Sequence, residues 1–160
     1  MKLLRTRRDR LFFEIGRREK NLLFEMLRLY PLIPATHHRL SKTTAETGAD
    51  DNQRLLEESL AAHRAENRKH VLAMLKEPGR FKAADAGFVL KITRPEIEWL
   101  LQVLNDVRVG SWIALGSPDT EAGEKIPLNE KTAPQVRSME IAGAFESFFL
   151  EALTGRASLE

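Results

Sequence analysis

The run Asn105-Asp106-Val107-Arg108, with Trp99 just upstream, places groups able to do chemistry inside an otherwise apolar stretch. A carboxylate can accept amide protons or exchange its own, and a guanidinium can hold a carboxylate or phosphate through several donors. Aspartate and asparagine compete for the backbone in mid-helix, so their presence there calls for partners. At about 100° per residue, Arg108 falls near the centre of the face carrying Ile97, Leu100, Leu101, Leu104, Ser111 and Leu115. Asp106 points the other way, toward Trp99 and Gly110. Residues two apart on a helix do not face each other, so Asp106 cannot serve Arg108. The pattern predicts a buried guanidinium held by a group from another element. Glu19 and Glu66, on the inward sides of their own helices, are the expected acids. The cluster Trp99, Asn105, Asp106 and Arg108 is then either an internal network that fixes helix register or the lining of a pocket or partner surface.

A second group lies at the start of the chain. Residues 1–20 hold Lys2, Arg5, Arg7, Arg8, Arg10, Arg17, Arg18 and Lys20 against Asp9, Glu14 and Glu19. Arg5, Arg7, Arg8 and Arg10 could form a docking patch for phosphates or for an acidic partner. Nucleic-acid binding needs clustered cations, and single-strand binding adds stacking aromatics. Phe12 and Phe13 follow these arginines, but on a strand they point to opposite faces, so at least one belongs to the core. Residues 117–130 are mildly acidic, and the net charge of +2 by itself implies no polyanion.

Other constellations carry less. His63, Glu66 and His70 share one side of a helix, but the histidines sit two turns apart, whereas zinc motifs of the His-Glu-x-x-His type put them within one. His37-His38 falls in a polar connection, and Asp50 or Asp51 suits a helix cap better than a catalytic pair. The glycines have no phosphate-cradling spacing, and no serine sits in a nucleophile elbow. The chain has no cysteine, which removes disulfides, thiolate zinc sites and thiol nucleophiles. No cofactor or metal is expected.

The elements that must position these residues can be read from periodicity and punctuation. Two short strands precede Gly16, with Arg7-Arg8-Asp9 turning the chain. Gly16 caps a helix with Glu19 at its third position, and Leu22, Leu23, Met26, Leu27, Tyr30 and Ile33 recur at helical spacing. Pro31 and Pro34 end it. A second helix runs from Asp50 or Asp51 to about Lys76, stopped by Pro78-Gly79, with an apolar line of Leu56, Leu60, Val71 and Met74. Ala86 to Ile92 reads as a third strand. Thr93-Arg94-Pro95-Glu96 matches a capping box and starts a third helix, running to about Leu115. Thr132-Ala133-Pro134-Gln135 repeats that grammar for a fourth helix, to about Leu153. The loop Gly116–Lys131 between them is expected to be exposed and mobile. Phe145, Phe148, Phe149 and Leu153 read as core packing, or as a dimer surface.

Together these predict one α+β, predominantly α domain over residues 1–158: four main helices, the third central, and a small two- or three-stranded sheet. Leu159-Glu160 is expected to be a cloning scar. No apolar run is long enough for a membrane span, and arginines interrupt any secretory-type leader, so a cytoplasmic protein is expected.

From Leu60 onward, the order of features resembles an uncharacterised bacterial family of small helical proteins. The resemblance rests on Trp99-Leu100 followed by Leu104-Asn105-Asp106-Val107-Arg108, and on a final helix ending Phe149-Leu150-Glu151-Ala152-Leu153. It extends from about residue 11, and only the third-helix motif is specific. The loop 116–132 and Ser111-Trp112 depart from the family pattern. The resemblance implies a fold and a motif but no activity. Members keep genomic company with a Clp protease adaptor, which implies an adaptor-like partner role linked to regulated proteolysis. The sequence thus favours a non-catalytic protein-interaction or regulatory module, with self-association as one form. Its rival is a nucleic-acid-binding module working through the basic N-terminal segment.

Overall fold

A computed structural model describes residues 1–34 and 49–155. The element order is β1 (Lys2–Arg7), β2 (Arg10–Ile15), α1 (Arg17–Leu29), α2 (Ala49–Lys76), β3 (Phe81–Ala84), β4 (Gly87–Thr93), α3 (Arg94–Ala114) and α4 (Ala133–Thr154). The protein is α+β and predominantly helical. His37, His38 and Leu159-Glu160 lie outside the described residues.

The sheet has four antiparallel strands in the order β1-β2-β4-β3, one more than the largest number expected. The additional strand is β3. Its four residues are too few to show alternation, and its partner strand supplies the register through Phe81↔Leu90 and Ala83↔Phe88. In β2 the alternation is plain: Leu11, Phe13 and Ile15 are buried, while Phe12 and Glu14 are half-buried on the opposite face. Leu90 and Ile92 of β4 join the buried face. A bulge between Leu3 and Arg5 re-aims β1, so that Leu3 stays in the core and Leu4 is exposed. Gly87 opens β4 at φ 146°, where an added Cβ would stand 2.6 Å from the Ile15 carbonyl oxygen. The end of β2 therefore seats directly on glycine.

Three helices cover the inner face. Phe13 meets Phe148 and Phe149 of α4 edge-on, at 5.4 and 5.6 Å between ring centroids. From α3, Ile97, Leu100, Val103, Leu104 and Val107 are buried, and α3 packs against α4, α1 and β4. α1 contributes Leu23, Met26 and Leu27. α2 adds only its C-terminal turns, Val71, Met74 and Leu75. Leu56 and Leu60, expected in its apolar line, are half-exposed. Phe145 and Phe149 are buried, as core packing requires.

The helix ends follow the capping chemistry in two cases out of three. Gly16 N donates to Glu19 Oε2 at 2.8 Å, and Glu19 also takes the amino terminus of Met1. Thr93 and Glu96 exchange the reciprocal bonds of a capping box. At α4 the start is where it was expected, but the cap is different. Thr132 has helical φ and ψ, and its hydroxyl donates to the Pro127 carbonyl and accepts from Asn129 N, while Gln135 Oε1 is buried without a hydrogen-bond partner. Asn129 turns the loop back onto Thr132, so the hydroxyl serves the loop rather than the helix amides. α2 begins at Ala49, which places Asp50 and Asp51 in its first turn rather than at its cap.

Candidate functional site

The two polar groups singled out in the sequence have separate fates. In α3, Asp106 is buried, and its Oδ1 accepts Leu32 N at 2.6 Å and Ile33 N at 3.3 Å. One turn on, Gly110 gives that segment room: a Cβ there would collide with the Leu32 side chain and stand 2.8 Å from its carbonyl carbon. Asp106 and Gly110 form a seat for the chain leaving α1, which explains an aspartate in a buried helix face. The Tyr30–Pro31 peptide bond at this seat is cis. Trp99 does a different job, meeting the His70 ring edge-on at 4.9 Å and joining α3 to α2.

Arg108 is not buried. Its side chain is 48% exposed, and its Nε contacts Glu146 Oε2 of α4 at 2.9 Å. Its Nη2 donates to Asn105 Oδ1 at 3.2 Å. A carboxylate from another element does hold it, as expected, but that acid is neither Glu19 nor Glu66. Of the residues that drew Arg108 inward on a helical wheel, Leu104 is fully buried but Leu101 is half-exposed, so Arg108 stands at the edge of the buried stripe, beside α4. Glu146 carries a raised pKa because burial disfavours its charge, and Arg108 offsets this only in part. The cluster is thus three separate local structures and lines neither of the two recesses described below.

The guanidinium threaded into the protein is Arg80. It is 8% exposed. Nε donates to the Met74 carbonyl at 3.0 Å and Nη1 to the Lys91 carbonyl at 2.9 Å. The fork grips Glu96 at 2.8 and 2.7 Å, and Nη2 also reaches Glu77 at 2.5 Å. Burial raises the cost of ionising Glu96, yet Arg80 and the Thr93 amide more than offset it, and its pKa is lowered. Glu96 therefore caps α3 and holds Arg80 with one carboxylate. The sequence signal was present in Thr93-x-x-Glu96 but showed only the cap; the arginine comes from the turn after α2.

The basic segment gains definition from the sheet. Cα pairing sets three cross-strand rows on the outer face: Lys2, Glu14, Val89 and Lys82; then Arg5, Phe12 and Lys91; then Arg7, Arg10 and Thr93. Six cations and one carboxylate share a face that no helix covers in the described residues, and all six are exposed. None of the six is in an ion pair among the described residues. Phe12, half-buried, sits at the middle of the middle row, with the Arg5 guanidinium 4.6 Å from its ring centroid. Arg8 lies in the β1–β2 turn with φ 58°. Lys82 and Lys91 were not singled out in the sequence. Lys91 between Leu90 and Ile92 carries the alternation that points it outward, but only the pairing of β2 with β4 brings it beside Phe12.

At the Arg10–Lys91 end the face runs into a recess of about 220 Å³, lined also by Glu77, Gly79, Arg80 and Glu96. A second hollow of about 480 Å³ lies between α2 and the chain after α1, beside Ile33, Arg64 and Arg68. Among the described residues no group of three or more His, Asp or Glu side chains is placed to hold a metal ion, and His63, Glu66 and His70 do not form one. No described helix is long and apolar enough to cross a membrane. No protein-family model, curated protein or solved structure matches the chain.

Proposed function

We propose that the protein is a non-catalytic interaction module whose working surface is the outer face of the sheet and whose partner is a polyanion. The observation that carries this reading is the unpaired charge: six exposed cations on four neighbouring strands, opposed on that face by Glu14 alone. Strands lie about 4.8 Å apart and same-face residues about 7 Å along a strand, so these charges lie within a patch roughly 14 Å on a side. With a net charge of only +2 for the whole chain, this concentration is a local property of the fold. An adaptor-like role of the kind the family resemblance implies would use this face for an acidic partner.

Heparin-affinity chromatography tests the reading. The wild-type protein is expected to be retained and to elute as salt rises. The Arg5→Gln/Arg7→Gln/Arg10→Gln variant, with an unchanged circular dichroism spectrum, is expected to elute at clearly lower salt. Passage of the wild type without retention, or co-elution of the two proteins, would overturn the proposal.

A further inference from the structure

We infer that the polyanion is a single-stranded nucleic acid, and that Phe12 is the platform on which one of its bases stacks. This rests on the reading of the outer sheet face as the binding surface and specifies what that surface holds. A polyanion such as heparin, or the acidic face of a protein, needs only the cations. It gives no role to an aromatic ring placed at their centre, with Arg5 and Lys91 on either side and Arg7 and Arg10 in the next row. Single strands differ from duplexes in exposing base faces, and stacking on an aromatic ring is the interaction that selects them.

The geometry supplies both parts. In the free protein the Arg5 guanidinium lies over Phe12, a cation–π contact that keeps the ring and the cation pre-positioned. An incoming base replaces the guanidinium on the ring, and Arg5 moves the short distance to the adjoining phosphate. The backbone follows the side of the face with Arg7, Arg10 and Lys91, where the strands carry no carboxylate and the two acids of the adjoining recess, Glu77 and Glu96, are both held by Arg80. Glu14, two residues along β2 from Phe12, repels phosphate at the other side. It is placed there as an acceptor for the amino group of a base. A duplex keeps its bases stacked inside and would touch only the charges.

Fluorescence anisotropy with a labelled single strand of about ten nucleotides, and with the same sequence as a duplex, tests this beside the heparin column. The wild type is expected to bind the single strand more tightly than the duplex, with affinity falling as salt rises. Phe12→Ala is expected to weaken single-strand binding at least about fivefold while heparin retention is unchanged. Should Phe12→Ala unfold, Phe12→Leu keeps the apolar bulk without a ring and is expected to show the same selective loss. Arg10→Gln should reduce the slope of log affinity against log salt by about 0.7. Equal binding of duplex and single strand overturns the inference and leaves the polyanion reading standing, as does a ring-independent affinity. Heparin retention with no nucleic-acid binding has the same consequence and points to an acidic protein. Absence of heparin retention by the wild type removes both.

Discussion

Arg80 and Arg108 carry the same group in opposite surroundings, and the surroundings decide what each contributes. Arg80 is 8% exposed and bonds two carbonyls and two carboxylates. Replacing it with methionine leaves Glu96 without its fork and takes one donor from each of the Met74 and Lys91 carbonyls. We expect Arg80→Met to cost about 3 kcal/mol, the low end for a broken buried pair because Glu77 and Glu96 retain some water. Arg80→Lys should recover little of this, since an ammonium cannot reproduce the fork. Arg108 is 48% exposed, but its partner Glu146 is buried, so Arg108→Met leaves a buried carboxylate without its cation and should cost about 1–2 kcal/mol, still less than Arg80→Met. Thermal unfolding of the two variants side by side checks the contrast. The carboxylates predict pH effects of opposite sign. The pKa of Glu96 is lowered from its ordinary value of 4.5, so the unfolded chain binds more protons just below that pH. Its contribution is complete above about pH 4.5 and is lost as pH falls through its depressed pKa. Glu96→Gln should therefore be less stable than wild type at neutral pH and lose less on acidification. Glu146 has a raised pKa, so it costs stability as pH rises above 4.5, and Glu146→Gln should remove that loss. Urea unfolding across this range measures both.

At the scale of elements, α3 is organised around the chain that leaves α1. Asp106 binds the amides of Leu32 and Ile33, and Gly110 makes way for the same two residues. Asp106→Ala leaves two amides unpaired beside a buried position and should cost about 1–3 kcal/mol. Gly110→Ala forces backbone apart and should cost about 1–3 kcal/mol. Each change displaces the segment that the other residue holds. The double variant should therefore lose clearly less than the sum of the single losses, with a coupling of at least about 0.5 kcal/mol in a double-mutant cycle. Strict additivity would mean that the two residues do not act on one segment. The start of α4 shows an element obeying a different neighbour. Thr132 and Gln135 have the spacing of a capping box, yet the loop carrying Asn129 and Pro127 engages the hydroxyl first.

Across the whole molecule, burial is unevenly shared. α2 runs from Ala49 to Lys76, but over residues 51–76 burial is confined to Val71, Met74 and Leu75, while α3 buries residues from Ile97 to Ser111. Hydrogen exchange should accordingly show strong protection through α3 and the last turns of α2, and much faster exchange over residues 51–65. Uniform slow exchange along α2 would contradict this distribution. Charge is uneven too. The outer sheet face is solvated and basic, the inner face apolar except for the exposed Thr6 on the edge strand β1, and the alternation in β2 and β4 creates both at once.

The sequence by itself determined what depends on neighbours along the chain. It set the period of each helix, the caps at Gly16 and Thr93, the proline stop after α1, the turn at Arg8-Asp9 and the α+β class. Those features rest on local backbone chemistry and on one-dimensional apolar spacing. Only the tertiary structure decided which face of α3 meets water, because Leu101 is apolar in sequence whether α4 covers it or not. It likewise decided that Arg80, not Arg108, is the enclosed arginine, since its acid arrives from Glu96 through a fold of the chain. The outer basic face belongs to the same class. Lys82 and Lys91 lie far along the chain from Arg5 and Phe12, and only the antiparallel pairing of β2 with β4, and of β4 with β3, sets their side chains in common rows.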